Sequence, residues 1–233
     1  MSNAPSTTLD SLGEETFRAW LAREPSTALV DQWITWNNAP LCHVPPATLT
    51  SFFPESFYHT VQEDPRVSAY VNALLRSQFL WKEPVTWAPH DPLWEIGMLA
   101  PNRFERLALL GSALSMHQEI TQIIDGSIVR KLRQQLGEDS VQFVLLSGSS
   151  SKYLLEGVHT ELAALNDPVG AIKQGAITII EHAFSSRERG IQQRIASKLP
   201  GCFAKALCGT PLPWAPQAEK ILSELWKETS SWI

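Results

Sequence analysis

LAPNRFERLALLGSALSMHQEITQIIDGSIVRKLRQQL, residues Leu99 to Leu136, decides the fold class. Leu109, Ala113, Met116, Ile120 and Ile124 recur at helical spacing. Leu107, Leu110 and Leu114 make a second stripe beside them, and Glu105, Ser112, Glu119 and Gln122 a narrow polar strip between. A helix apolar over most of its circumference packs on several sides at once, which predicts a central element. Asn102, with Glu105 three residues on, predicts a capping-box start. Asp125-Gly126 marks a turn. Ile128, Val129, Leu132 and Leu136 then predict a second helix, stopped by Gly137 at its C′ position.

The same periodicity runs outward in both directions. Residues 1 to 12 are small, polar and rich in Pro, Thr and Ser, the composition of a tail. Helices are expected around Phe17, Trp20 and Leu21, over Ser26 to Trp36, over Ser51 to Gln62, and over Pro65 to Trp81. Pro84, Pro89 and Pro92, interleaved with Trp81, Trp87 and Trp94, predict a stiff aromatic loop and a boundary near residue 92. Beyond Leu136, Asp139 or Ser140 is expected to cap VQFVLL, and Leu154, Leu155, Val158 and Leu162 mark another helix. Asp167-Pro168 opens a helix through Ile172, Ala176, Ile179 and Ile180. Ser185 with Glu188 predicts a capping box before Ile191, Ile195 and Leu199. A last amphipathic helix carries Ile221, Leu222, Leu225 and Trp226. No segment alternates with a period of two. The expected architecture is all-α, a single globular domain of about nine or ten helices without significant β-sheet. Its parts are a tail at 1–12, an N-terminal helical part at 13–92 and a central and C-terminal part at 93–233 continuous with it.

Composition narrows the function classes. The 233 residues are 44% hydrophobic, enough for a packed core. No apolar run reaches the roughly 18 residues of a membrane span, and the N-terminus lacks the basic start and apolar block of a signal peptide, so direct membrane insertion is not expected and the expected location is the cytoplasm. Three cysteines, Cys42, Cys202 and Cys208, without framework spacing, fit a reducing compartment. A net charge of -5 argues against nucleic acid as a partner. Nine tryptophans exceed what this length needs, and those not used in a core suit protein interfaces.

The sequence offers few chemical motifs. Glu156-x-x-His159 has the spacing of a carboxylate-bridged metal helix, but no second such pair accompanies it. Ser149-x-x-Lys152 lies in a serine run that makes the match nearly automatic. His117 and His182 fall among apolar residues, the setting of a core histidine. Cys202 and Cys208 are two ligands where structural zinc takes four. Catalytic, cofactor-binding and metal residues are therefore expected to be none. The candidate partner-binding residues are Arg130, Lys131 and Arg133, a basic turn in an acidic chain, with Trp214 in PLPWAP and Trp226 near the C-terminus.

Three segments, LAPNRFERLALLGSALSMHQEI, SIVRKLRQQLGEDSVQFVLL and RIASKLPGCFAKAL with the following PLPW, make the chain resemble the SctK family (YscK, OrgA and MxiK type) of type III secretion sorting-platform proteins. They fall within residues 99 to 214. The resemblance implies a non-enzymatic cytoplasmic adaptor, peripheral to the inner-membrane ring of the injectisome. Such an adaptor links the forkhead-associated-like domain of SctD to the pod protein SctQ, and through it the stator SctL and the ATPase SctN. Two other readings stay open from the residues: a secretion chaperone or regulator that binds an exported protein, and a helical metal-dependent enzyme built on Glu156 and His159, with Glu181 or His182 beside them.

Overall fold

The computed structural model describes residues 27–50, 52–78, 81, 83–86, 88, 91–123, 125–148, 150, 167–199 and 214–233. The expected helix around Phe17, the helix of Leu154 to Leu162, and Ser149, Lys152, Glu156, His159, Cys202 and Cys208 lie outside them. The fold is all-α, and no strand occurs among the described residues. The helices are α1 (Thr27–Asn38), α2 (Pro46–Leu49), α3 (Glu55–Glu63), α4 (Pro65–Gln78), α5 (Pro92–Met98), α6 (Pro101–Ser115), α7 (His117–Thr121), α8 (Gly126–Leu136), α9 (Glu138–Ser147), α10 (Pro168–Phe184), α11 (Arg189–Ala196) and α12 (Ala215–Thr229), with a 3₁₀ turn at Pro40–Cys42. That makes twelve α-helices among the described residues, more than the pattern predicted.

Proline accounts for much of the excess. Five helices begin on one, at Pro46, Pro65, Pro92, Pro101 and Pro168, where the missing N–H costs nothing and the fixed φ suits the first turn. Three of these follow aspartate. Asp64 Oδ1 accepts from Arg66 N at 2.8 Å, Asp91 Oδ1 from Leu93 N at 3.0 Å and Asp167 Oδ1 from Gly170 N at 3.0 Å. The expected aromatic loop therefore ends at Asp91, and Trp94 is a fully buried residue of α5. Pro101 likewise starts α6 one residue early, so Asn102 lies in the first turn rather than capping it.

The chain divides into two compact units, Met1–Ala100 with Glu188–Ala206, and Pro101–Arg187 with Leu207–Ile233. The division falls at Ala100 and Pro101, not near residue 92 as the proline and tryptophan pattern predicts. In the first unit, Val44, Leu49, Val61, Val71 and Leu75 form an apolar cluster beneath Leu41, Phe53, Phe57, Tyr58 and Val67. Trp36 and Trp94, both fully buried, meet edge to face with centroids 6.2 Å apart. Trp33 Nε1 donates to Val85 O at 3.1 Å and Trp94 Nε1 to Thr86 O at 2.9 Å, so part of the tryptophan surplus is core.

The second unit is organised around α6, whose residues Leu107 through Leu114 are all buried. The polar strip expected along it is interrupted by packing, since Ser112 is fully buried and faces α10. Phe104 meets Phe184 of α10 at 6.2 Å. The long helix expected through Ile120 breaks at Met116, whose φ of -107° and ψ of 23° divide α6 from α7. Asp125 caps α8 by accepting from Ser127 N at 2.7 Å, and Gly137, at φ 84°, ends it in a conformation that side-chain-bearing residues rarely adopt. The helix α9 starts directly from Gly137 at Glu138, so Asp139 and Ser140 lie inside it and cap nothing; Ser140 is fully buried and accepts from Arg106 Nη2 at 3.5 Å.

Close approach of α6 and α10 depends on Gly175. A Cβ there would lie 2.4 Å from Ser112 Oγ and 2.9 Å from Met116 Cε. Gly175→Ala should cost about 1–3 kcal/mol of unfolding free energy in urea titrations, as overpacking does. Ser112→Ala removes the nearest clashing atom, a hydroxyl without a hydrogen-bond partner among the described residues. The double variant should recover most of the loss, and an equal cost in both backgrounds would refute the contact as the cause.

Candidate functional site

The polar chemistry of the first unit is concentrated on α11 and the turn after it. Arg194 is 1% exposed, and its guanidinium sits 4.8 Å from the Trp81 ring centroid. Nε donates to Trp36 O at 2.9 Å, Nη1 to Glu83 O and Gly190 O, each at 2.8 Å, and Nη2 to Asn37 Oδ1 at 3.2 Å and more weakly to Asn37 O at 3.4 Å. Trp36 and Asn37 close the last turn of α1, where carbonyls lack helical partners and the macrodipole is negative. Burial lowers the Arg194 pKa to about 10, against the opposing pull of Glu188. It remains charged at neutral pH.

Lys198 repeats the device at another helix end. Its ammonium donates to Gly97 O at 2.6 Å and to Leu99 O, at the C-terminus of α5. Burial drives its pKa down to about 7. His43 completes the cluster. It is 5% exposed, its ring lies 6.5 Å from that of Trp81, and neither ring nitrogen has a hydrogen-bond partner among the described residues. Burial, then the charges of Lys198 and Arg194, lower its pKa to about 2. Among the described residues, the hydrogen-bond acceptors of the two cations are carbonyl oxygens, nearly all of the backbone, so the arrangement ties segments together.

Glu188 is drawn into the same region. The predicted capping box does not form: Ser185 Oγ donates back to His182 O at 2.8 Å, and the Glu188 carboxylate accepts from Thr86 N at 2.7 Å and Thr86 Oγ1 at 2.8 Å. A partner 102 residues away in sequence is better placed than the local amide.

The residues singled out from the sequence lie in the second unit. Arg130, Lys131 and Arg133 are exposed on α8, opposite buried Leu132 and Leu136. Arg130 Nε donates to Gly126 O at 3.2 Å, and Arg133 Nε pairs with Glu138 Oε2 at 3.3 Å, which spends part of the turn's charge locally. Trp214 is half-buried and stacks on His182 with centroids 5.0 Å apart. Burial lowers the His182 pKa, opposed by Glu181, in keeping with a core histidine. Half-buried His117 packs its ring against Gly148. Trp226 is half-buried under the Arg103 guanidinium, 5.8 Å from its ring. Arg106 stands 5.6 Å from the Trp232 ring, which meets Phe143 at 5.7 Å. Apolar periodicity does not single out these arginines, although their spacing of three on α6 puts both on one face. Among the described residues no group of three or more His, Cys, Asp and Glu is placed to hold a metal ion, and no helix is long and apolar enough to cross a membrane.

Compared with known protein families, with characterised proteins and with solved structures, the chain matches none.

Titration of Lys198 gives the cation cluster a measurable signature. An unfolded lysine binds its proton up to 10.5 and the buried one only to about 7, so between those values the unfolded chain holds more protons and stability rises with pH. From about pH 7 to about pH 9 this group should add about 2 kcal/mol to the urea unfolding free energy. Lys198→Met should abolish that increment, and an undiminished slope in the variant would refute the assignment.

Proposed function

We propose that the chain is a non-enzymatic adaptor of the SctK type, joining the cytoplasmic domain of SctD to SctQ in a type III secretion sorting platform. The observation that carries this reading is the resemblance of the segments within 99 to 214, two of which run from the end of α5 through α9. The character of the second unit supports it. Arg103 and Arg106 lie, half-buried, over half-buried tryptophans, and α8 turns Arg130, Lys131 and Arg133 outward. Arginine and tryptophan are the side chains on which protein interfaces concentrate their binding free energy. Exposed basic residues in a chain of net charge -5 favour an acidic partner surface and speed its encounter.

Co-expression with the cognate SctQ and, separately, with the cytoplasmic domain of SctD should give co-purifying complexes. Reversal of Arg130, Lys131 and Arg133 to glutamate should weaken one of them at least roughly tenfold while the circular dichroism spectrum is unchanged. If neither partner co-purifies, and deletion leaves secretion and pod assembly intact, the reading is wrong. Capture of an exported protein instead would favour a chaperone. Stoichiometric metal lost on mutating Glu156 or His159 would favour an enzyme.

A further inference from the structure

Residues 40–50 join α1 to the apolar cluster of the first unit and are held from two sides. Leu41 N donates to Asn72 Oδ1 of α4 at 2.9 Å, while Val44 and Leu49 enter the cluster. On the other side His43 is pressed into the region of Trp81, Arg194 and Lys198. The charged groups that act on it come from α11 and the turn after it, and both are cations; α4 presents the neutral Asn72 to this segment. Among the described residues no carboxylate is among the groups acting on His43. A protonated imidazole has two donors to satisfy, and the His43 nitrogens are enclosed without an acceptor among those residues.

We propose that His43 is an acid-released latch: protonation expels its ring from beside Arg194 and Lys198, and residues 40–50 leave their seat, uncovering Val61, Val71, Leu75 and Trp81. The closed form refuses the proton down to about pH 2, whereas an exposed histidine accepts it near 6.5. Between those values the open form binds more protons, so closure is complete above 6.5 and weakens as the pH falls. Lys198 gains its own charge on passing below about 7, so the imidazolium would form beside two full cations. The latch works through repulsion and lost solvation, and requires no ligand.

Amide hydrogen exchange of the full chain tests this. His43, Val44, Thr48, Leu49 and Thr50 all donate backbone hydrogen bonds within the segment and serve as reporters. Their protection factors should fall about a hundredfold between about pH 7.5 and about pH 4.5, reversibly, and by less than about threefold in His43→Gln. Equal protection at both pH values in the wild type, or a parallel fall in His43→Gln, overturns the proposal. Should His43→Gln fail to fold, the His43 Cε1 proton resonance of the wild type decides. Ring titration in step with loss of protection is expected, and titration near 6.5 with the amides still protected overturns the latch.

Discussion

A guanidinium taken almost wholly out of water is the constraint around which the first unit is arranged. Charge burial costs several kcal/mol unless each donor finds an acceptor. Arg194 meets that demand with backbone carbonyls, which are fixed by the fold and need no side-chain ordering of their own. Two of the acceptor residues close α1, one lies in the loop after Trp81, and one is the first turn of α11. The same bonds that stabilise the charge therefore set where three segments meet. Lysine would reach fewer of them, because only a planar fork presents donors in several fixed directions.

Lys198 applies the principle more economically, with a group that can shed its proton. Both cations stand at helix C-termini, so the dipoles of α1 and α5 contribute to holding them. His43 is the counterpart: a neutral ring in a place suited to no further positive charge. Stability of this unit is thus coupled to proton concentration through Lys198 and His43.

Local signals are legible in the sequence where the deciding residues are neighbours. Gly137 ends α8 as expected because its φ is a property of one residue, and Asp167-Pro168 opens α10 because cap and first turn are adjacent. The identical Asp-Pro signal at 91–92 opens α5, yet the surrounding tryptophans and prolines gave that stretch the look of a loop. Other features depend on partners that periodicity cannot supply. Ile191, Ile195 and Leu199 mark α11 as amphipathic, but the burial of Arg194 and Lys198 is decided by carbonyls 158 and 101 residues away. Glu188 turns to Thr86 for the same reason. In the second unit Trp214 and Trp226 were legible as aromatic anchors, whereas the arginines over Trp226 and Trp232 require α12 to lie along α6, which no local pattern states.

If the Arg194 guanidinium, rather than its aliphatic bulk, holds the first unit together, an apolar side chain of similar length cannot replace it. The deciding measurement is urea unfolding of Arg194→Met, followed by far-ultraviolet circular dichroism. Removing the donors leaves buried carbonyls unpaired, so a loss of about 3 kcal/mol or more is expected, with Arg194→Lys recovering only a minor part. An Arg194→Met protein as stable as the wild type would contradict it, since apolar packing at that position would then suffice.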